Sequence, residues 1–194
     1  MELKSRWYGI KERCNPASKR YNNCTLGKEW EKFENFEKWY YENYYSIEEP
    51  LEVDKDLLVK GNRMYSPDTC LLLPRFINTL ITKTRSYSLL PIGVKYNMGG
   101  KFKYVSTIKV AYQTHTKRSN YITECFDFYK EMKEKEVKMT AEYYKDKFPP
   151  KVYNALINYN IEILEHMNSE KSKEILQGII LEECSERGIE NIYF

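Results

Sequence analysis

Residues 101–110 read Lys-Phe-Lys-Tyr-Val-Ser-Thr-Ile-Lys-Val, and two sets of side chains alternate along this decamer. A period of two is typical of a β-strand with one face on a core and the other in water. One predicted face carries Lys101, Lys103, Val105, Thr107 and Lys109, and the other carries Phe102, Tyr104, Ser106, Ile108 and Val110. The decamer therefore predicts a strand with one basic face and one apolar face.

Signals on both sides of this decamer extend it into a small sheet. Residues 92–96 (Ile-Gly-Val-Lys-Tyr) are a strand candidate before a turn at 97–100, and residues 113–119 predict a third strand or a turn. An amphipathic helix is expected over residues 120–147, with Thr123 as its N-cap. We therefore expect a three-stranded antiparallel sheet with a helix covering its apolar face.

The predicted sheet lies in an interval without acidic residues. Between Asp68 and Glu124 the chain has nine Lys and Arg residues and no Asp or Glu, whereas the other 22 basic and 28 acidic residues give a net charge of −6. A basic block in an otherwise acidic protein predicts a surface that faces a polyanion. The alternative is a solvated sheet face that happens to lack acidic residues.

Helices are expected on both sides of this module, so the predicted fold class is α+β. Helical patterns cover residues 7–14, 28–45, 151–164 and 169–186, and residues 71–80 form an apolar run that ends in a helix. In the second pattern an aromatic stripe is assigned to core packing: Trp30, Phe33, Phe36 and Tyr40. In the last, Ser169 opens the helix and four side chains share its apolar side: Ile175, Ile179, Ile180 and Cys184.

The composition restricts the class of protein. A hydrophobic content of 42% supports a folded core, and five widely spaced cysteines without a Cys-x-x-Cys pair suggest neither a disulfide framework nor a metal knuckle. Reduced thiols and the lack of a signal sequence or a run of 18 apolar residues favour a cytoplasmic protein that does not contact a membrane.

Three segments of the first 78 residues resemble a family of bacteriophage HNH-type endonucleases. They are Trp7-Tyr-Gly-Ile-Lys-Glu-Arg-Cys, Glu29-Trp-Glu-Lys-Phe-Glu-Asn-Phe-Glu-Lys-Trp and residues 51–78, which contain Asp-Lys-Asp at 54–56 and Ser-Pro-Asp-Thr-Cys at 66–70. The resemblance implies a small ββα finger of hairpin, loop and helix. Such a finger holds one divalent metal, Mg²⁺ or Mn²⁺, and hydrolyses phosphodiester bonds of DNA.

The resemblance also assigns roles to residues of this finger. Asp54 takes the position of the acidic metal ligand, Asp68 or Thr69 falls near the distal ligand, and Asn62 ties the loop. Lys55, beside Asp56, replaces the histidine that activates water, and neither histidine of the chain lies in this segment. The implied catalytic residues are Lys55, Asp56 and Asn62, and the implied metal ligands are Asp54 and Asp68.

Lys55 departs from the family pattern in a way that bears on catalysis. The neighbouring carboxylates stabilise the ammonium, so Lys55 is a weak general base and a better phosphate or transition-state contact. Two outcomes follow, namely altered catalysis or a retained fold without cleavage. Residues 54–56 as a solvated turn and Gly61-Asn62 as a plain hairpin turn remain the structural alternative.

The second half of the chain resembles another known module. Pro91-Ile-Gly-Val and Gly100-Lys-Phe-Lys-Tyr are similar to the three-stranded sheet of the plant ethylene-response-factor DNA-binding module, whose exposed face lies in the major groove. By this resemblance, with the neighbouring Lys-Arg pair, the predicted contacts to double-stranded DNA are Lys95, Lys101, Lys103, Lys109, Tyr112, Lys117 and Arg118. The resulting domain prediction is an HNH-like domain at 1–86, a sheet domain at 87–160 and a helical extension at 161–194.

The sequence therefore predicts three alternative functions. The first is a metal-dependent DNA endonuclease, and the second is a non-catalytic DNA-binding protein that keeps the finger as a scaffold. The third is a phage anti-defence protein that binds a host protein or a nucleotide ligand. The resemblance does not cover the last helix, which we assign to packing or to self-association into a homo-oligomer.

Overall fold

The computed structural model describes residues 2–17, 24–82, 89–165, 167 and 169–194. The fold is α+β, as predicted, with six α-helices and seven strands in this part of the chain. It divides into two compact units, the first formed by Met1–Ile81 with Ala141–Asn158 and the second by Thr82–Thr140 with Tyr159–Phe194. Two basic residues of the acid-free interval, Lys83 and Arg85, lie outside the described residues.

The first unit begins with two α-helices around an aromatic core. Helix α1 is Leu3–Arg13, and a 3-10 helix, Lys28–Glu31, precedes α2, Phe33–Asn43. The expected single helix over 28–45 is wrong, because the backbone is extended at Lys32. The Trp30 carbonyl accepts a hydrogen bond from the Trp7 indole at 2.8 Å, an interaction outside the helical pattern. The stripe is core, as predicted, with Trp30 and Phe36 fully buried.

The finger segment forms an antiparallel strand pair followed directly by a helix. Strand β2, Leu51–Asp54, pairs with β4, Leu71–Pro74, and helix α3, Arg75–Ile81, begins at the next residue. The connection between the strands also carries β3, Met64–Tyr65, which pairs in parallel with β1, Thr25–Leu26. This ββα arrangement places the connecting loop at the Asp54 end of the hairpin.

The second unit contains the predicted antiparallel sheet. Its strands are β5, Val94–Tyr96, β6, Tyr104–Val110, and β7, Gln113–Ser119, with β6 in the centre. Helix α4, Ile122–Tyr143, packs on this sheet, and the Tyr129 ring sits directly over Gly93.

The central strand is shorter than the alternating decamer predicted. Residues 101–103 belong to the preceding turn, so Phe102 is exposed instead of buried. The Asn97 side chain donates to the Phe102 carbonyl at 2.9 Å, and the Lys103 N–H donates to the side chain of Asn120 at 3.1 Å. These side-chain hydrogen bonds hold the backbone in the turn, so the strand begins only at Tyr104.

The remaining helices differ in part from their predicted limits. Helix α5, Pro150–Ile157, ends earlier than residue 164. Its expected continuation is held in another conformation, because the Ile161 N–H donates to Glu134 and the Ile161 carbonyl accepts from Lys130. Helix α6, Glu170–Arg187, has Ser169 as its N-cap, as predicted.

The buried side of α6 is rotated from the predicted one. Its buried side chains are Leu176, Ile180, Glu183 and Cys184, whereas Ile175 is exposed. The spacing of four, three and one is that of a single helical face. One glutamate, Glu183, therefore lies on the buried face of the helix.

Candidate functional site

The loop of the finger is tied together by Asn62. Its side-chain amide donates to the Lys55 carbonyl and to the Met64 carbonyl, each at 2.7 Å, and its oxygen accepts from the Met64 N–H at 3.0 Å. Asn62 thus connects the end of β2 to the start of β3. The bond to Lys55 spans seven positions and ties the loop, whereas the two bonds to Met64 are local. The catalytic role that the resemblance implies for Asn62 stays a prediction.

Asp54 ends β2 with a buried carboxylate. Its Oδ1 accepts backbone hydrogen bonds from Asp56 at 3.1 Å and from Leu57 at 2.8 Å, which closes a local turn. Burial, together with the nearby negative charge of Asp56, raises the pKa of Asp54 from 3.8 to about 6. This carboxylate is therefore part of the turn and carries a proton more readily than a surface aspartate.

Lys55 points back along the same loop. Its ammonium lies 2.5 Å from Asp56 Oδ1 and 3.1 Å from the Asn62 carbonyl, and its side chain is only 12% exposed. The ammonium is also 5.8 Å from the centre of the Tyr65 ring. An ammonium that donates to a carboxylate and a carbonyl is suited to act as a fixed positive charge rather than as a proton acceptor.

The implied metal ligands have different surroundings. Oδ1 of the buried Asp54 carboxylate accepts hydrogen bonds from two backbone N–H groups, and Asp68 is exposed in the connection between β3 and β4. Over the described ranges, no three or more His, Cys, Asp and Glu side chains come together as a metal-binding group. The metal and its two predicted ligands stay predictions.

The exposed face of the sheet brings together basic residues from two edge strands. Lys95 on β5 pairs with Val105 on β6, and Val105 pairs with Arg118 on β7. Residues that pair directly across strands point to the same face. Lys95 and Arg118, both exposed, therefore flank Val105 in one row across the whole sheet.

Two further rows follow along the same face. Thr107 pairs with Thr116, with their hydroxyl oxygens 3.3 Å apart, and Lys109 pairs with Thr114. Beyond this last row, Tyr112 stands in the loop between β6 and β7, with the Lys109 ammonium 5.8 Å from its ring centre. The threonine hydroxyls were not among the predicted DNA contacts. Thr114 and Thr116 are two positions apart, and in a strand over residues 113–119 this spacing places them on the same face.

The other predicted contacts lie in different surroundings. Lys117 alternates with Arg118 and lies on the side of the sheet that faces α4, where its ammonium is 3.7 Å from Glu124. Lys101 and Lys103 are exposed in the turn before β6, and the Lys103 ammonium is 5.1 Å from the Tyr104 ring. The sheet thus places Lys95, Lys109 and Arg118 together and sets Lys117 apart from them.

Comparison with known proteins gives no family for this chain. No protein-family model, curated protein or solved structure shows a significant match to it. In the described part of the chain, no helix combines the length and the apolar character that a membrane span requires.

Proposed function

We propose that this protein binds double-stranded DNA through the exposed face of its three-stranded sheet. This basic face consists of Lys95, Val105, Thr107, Lys109, Thr114, Thr116 and Arg118. The observation that supports the proposal best is the row formed by Lys95, Val105 and Arg118, since it places two cations on opposite edges of one surface.

The charge and the dimensions of this face suit a DNA duplex. No acidic residue occurs between Asp68 and Glu124, so none lies on the three strands. Neighbouring strands are about 4.8 Å apart, which places the two edge strands roughly 10 Å from each other. The major groove is about 12 Å wide, and basic side chains at the edges of the sheet can reach the phosphates on either side.

DNA binding can be measured by fluorescence anisotropy with a labelled duplex over a series of salt concentrations. Each phosphate contact contributes about 0.9 to the slope of log K against log salt. Changing Lys95, Lys109 and Arg118 together to alanine is expected to lower that slope by about 2–3 and to weaken binding at every salt concentration.

The control removes the same charge elsewhere. Lys135, Lys138 and Lys171 are exposed on helices α4 and α6, and their triple alanine variant has the same net charge as the basic-face variant. The proposal requires this control to bind nearly as well as the unchanged protein. Equal losses in both variants, or no binding at low salt, would refute a specific role for the sheet.

Phosphodiester cleavage at the finger is a second candidate function. The observation that favours it is the ββα hairpin whose loop is tied by Asn62, as the resemblance to HNH-type endonucleases implies. Supercoiled plasmid incubated with Mg²⁺ or Mn²⁺ is expected to be nicked, and nicking should be lost in Asp54→Asn, which keeps an acceptor oxygen for the turn. No nicking with any divalent metal would leave the non-catalytic DNA-binding function.

The two candidates are separable because they use different residues. Loss of nicking with unchanged duplex affinity assigns the chemistry to the finger and the affinity to the basic face. A nucleotide that co-purifies with the protein, or a host protein captured in place of DNA, would instead favour the third function predicted from the sequence.

A further inference from the structure

The loop between β6 and β7 has an unusual backbone for its residues. Val110 pairs with Gln113, so Ala111 and Tyr112 alone form the loop, and both have positive φ, 47° and 67°. Two-residue hairpins of this kind strongly prefer asparagine or glycine, because other side chains crowd the backbone in the left-handed region. By contrast, the residue with positive φ in the turn before β6 is a glycine, Gly99, with a φ of 77°.

The side chain at the tip has no packing role that would account for this strain. Tyr112 is 94% exposed, and it is the most exposed large hydrophobic residue in the described part of the chain. A bulky residue in the left-handed region is a genuine outlier, and such strain concentrates at functional positions. The ring therefore stands where a small turn residue would serve the hairpin better.

The surroundings of the ring indicate what it meets. The Lys109 ammonium lies 5.8 Å from the ring centre, and Lys109 belongs to the basic face. An exposed aromatic ring beside a cation matches the two needs of nucleic-acid contact, a phosphate for the charge and a base for the ring. The positive charge of the adjoining basic face favours DNA as the occupant.

We propose that Tyr112 inserts between the bases of a DNA duplex and stacks on a base that has lost its neighbour. This inference rests on the proposed binding of DNA by the basic face. In an intact duplex both faces of each base are already covered, so insertion has to open a base step at a free-energy cost. The cost is smaller where a base is already unstacked, and the protein is therefore expected to prefer duplexes that contain a mismatch or a bulge.

The test compares two duplexes that differ only by one bulged nucleotide. Anisotropy titrations are expected to show about tenfold tighter binding of the unchanged protein to the bulged duplex, since stacking of one base on an aromatic ring has this order of effect. A 2-aminopurine next to the bulge reports the insertion directly, because its fluorescence falls when the tyrosine ring stacks on it.

Three variants separate insertion from a structural role. Tyr112→Asn is expected to abolish the preference for the bulge while matched-duplex affinity changes by about twofold or less. Its Tm should stay equal or rise by about 2–4 °C, because asparagine tolerates the left-handed backbone. Tyr112→Phe should keep the preference, and Met98→Ala, a change at a residue that is 90% exposed in the neighbouring turn, should alter nothing.

Each other result contradicts the inference. A preference that persists in Tyr112→Asn, a fall of its Tm, or tighter binding of single-stranded DNA than of the bulged duplex would overturn insertion into a duplex. Equal binding of matched and bulged duplexes by the unchanged protein overturns insertion alone. Failure to bind either duplex overturns both the inference and the proposed DNA-binding function.

Discussion

The buried carboxylate of Glu183 accepts hydrogen bonds from the backbone N–H groups of Ile122, at 2.7 Å, and of Thr123, at 3.1 Å. Residues 122 and 123 are the first two of α4, so a side chain of α6 satisfies donors that have no partner within their own helix. A negative charge at this end also interacts favourably with the helix dipole. Thr123, predicted as the N-cap, lies inside the helix and accepts a hydrogen bond from Arg187 instead.

Replacing Glu183 by alanine should destabilise the protein. The substitution removes two hydrogen bonds that backbone N–H groups donate to the carboxylate, and it leaves both buried N–H groups unsatisfied. We therefore expect the free energy of unfolding to fall by about 2–3 kcal/mol. Urea denaturation measures the loss. Glu182→Ala removes the same charge from the exposed neighbouring position and should change stability by less than about 0.5 kcal/mol. Equal effects of the two substitutions would show that Glu183 is not the cap.

Alanine substitutions at two glycines should change the free energy of unfolding in opposite directions. A methyl group on Gly93, whose φ is 79°, would lie 2.1 Å from the Tyr129 ring, so Gly93→Ala is expected to cost about 3 kcal/mol or more. At Gly178, inside α6, a methyl group meets nothing within 4 Å, and Gly178→Ala is expected to stabilise the helix by about 0.5–1 kcal/mol. Thermal unfolding followed by circular dichroism checks both. An unchanged Tm for Gly93→Ala would contradict the packing of α4 on the sheet.

Asn62→Ala should loosen the finger loop. Its three hydrogen bonds to Lys55 and Met64 are lost together, and we expect a destabilisation of about 1–3 kcal/mol. Limited proteolysis should then cut between residues 55 and 64 faster than in the unchanged protein. Arg63→Ala, at an exposed position in the same loop, serves as the matched control. Equal proteolysis of the two variants would argue against Asn62 as the tie.

Asp54 should make stability depend on pH. Its pKa is raised from 3.8 to about 6, so between these values the folded protein holds a proton that the unfolded chain has released. The stabilisation is fully present below the lower value and is lost as the pH rises to about 6, an effect of about 3 kcal/mol for a single group. Lys55 and Asp56 are the charged neighbours of this carboxylate.

Asp54→Asn removes the titration and keeps an acceptor oxygen. Urea unfolding in the presence of a metal chelator should therefore give the variant and the unchanged protein similar stability near pH 4. Near pH 7 the variant should be more stable, by up to the amount that Asp54 loses. A difference that does not vary with pH would exclude a raised pKa at Asp54.

Adjacent residues of β7 should differ in their effect on DNA binding. Arg118 lies on the basic face, whereas Lys117 lies on the opposite side with its ammonium 3.7 Å from Glu124. We expect Arg118→Ala to lower the slope of log K against log salt by about 1 and Lys117→Ala to leave it nearly unchanged. Duplex titrations over a salt series measure both slopes. A larger effect of Lys117→Ala would place the DNA on the other side of the strand.

Several elements were predictable because their signals are local. The alternation of side chains along residues 104–110 predicts β6, and the amphipathic pattern after residue 120 predicts α4, since each depends only on neighbouring residues. The start of β6 was not predictable, because the bond from Lys103 to Asn120 spans 17 positions. The break at Lys32 has a similar origin, since the Trp7 indole that binds the Trp30 carbonyl lies 23 positions away.

The candidate sites also combine features that the sequence predicts with features that only the tertiary structure shows. The sequence alone determined that a basic, acid-free stretch alternates with apolar residues, because the pleat of a strand sends successive side chains to opposite faces. Only the tertiary structure decided that Lys95 and Arg118 share a row through Val105 while Lys117 faces away, because the pairing register is a contact between separate strands. The same holds for Glu183, whose role at the start of α4 depends on a bond across 61 positions that no local pattern records.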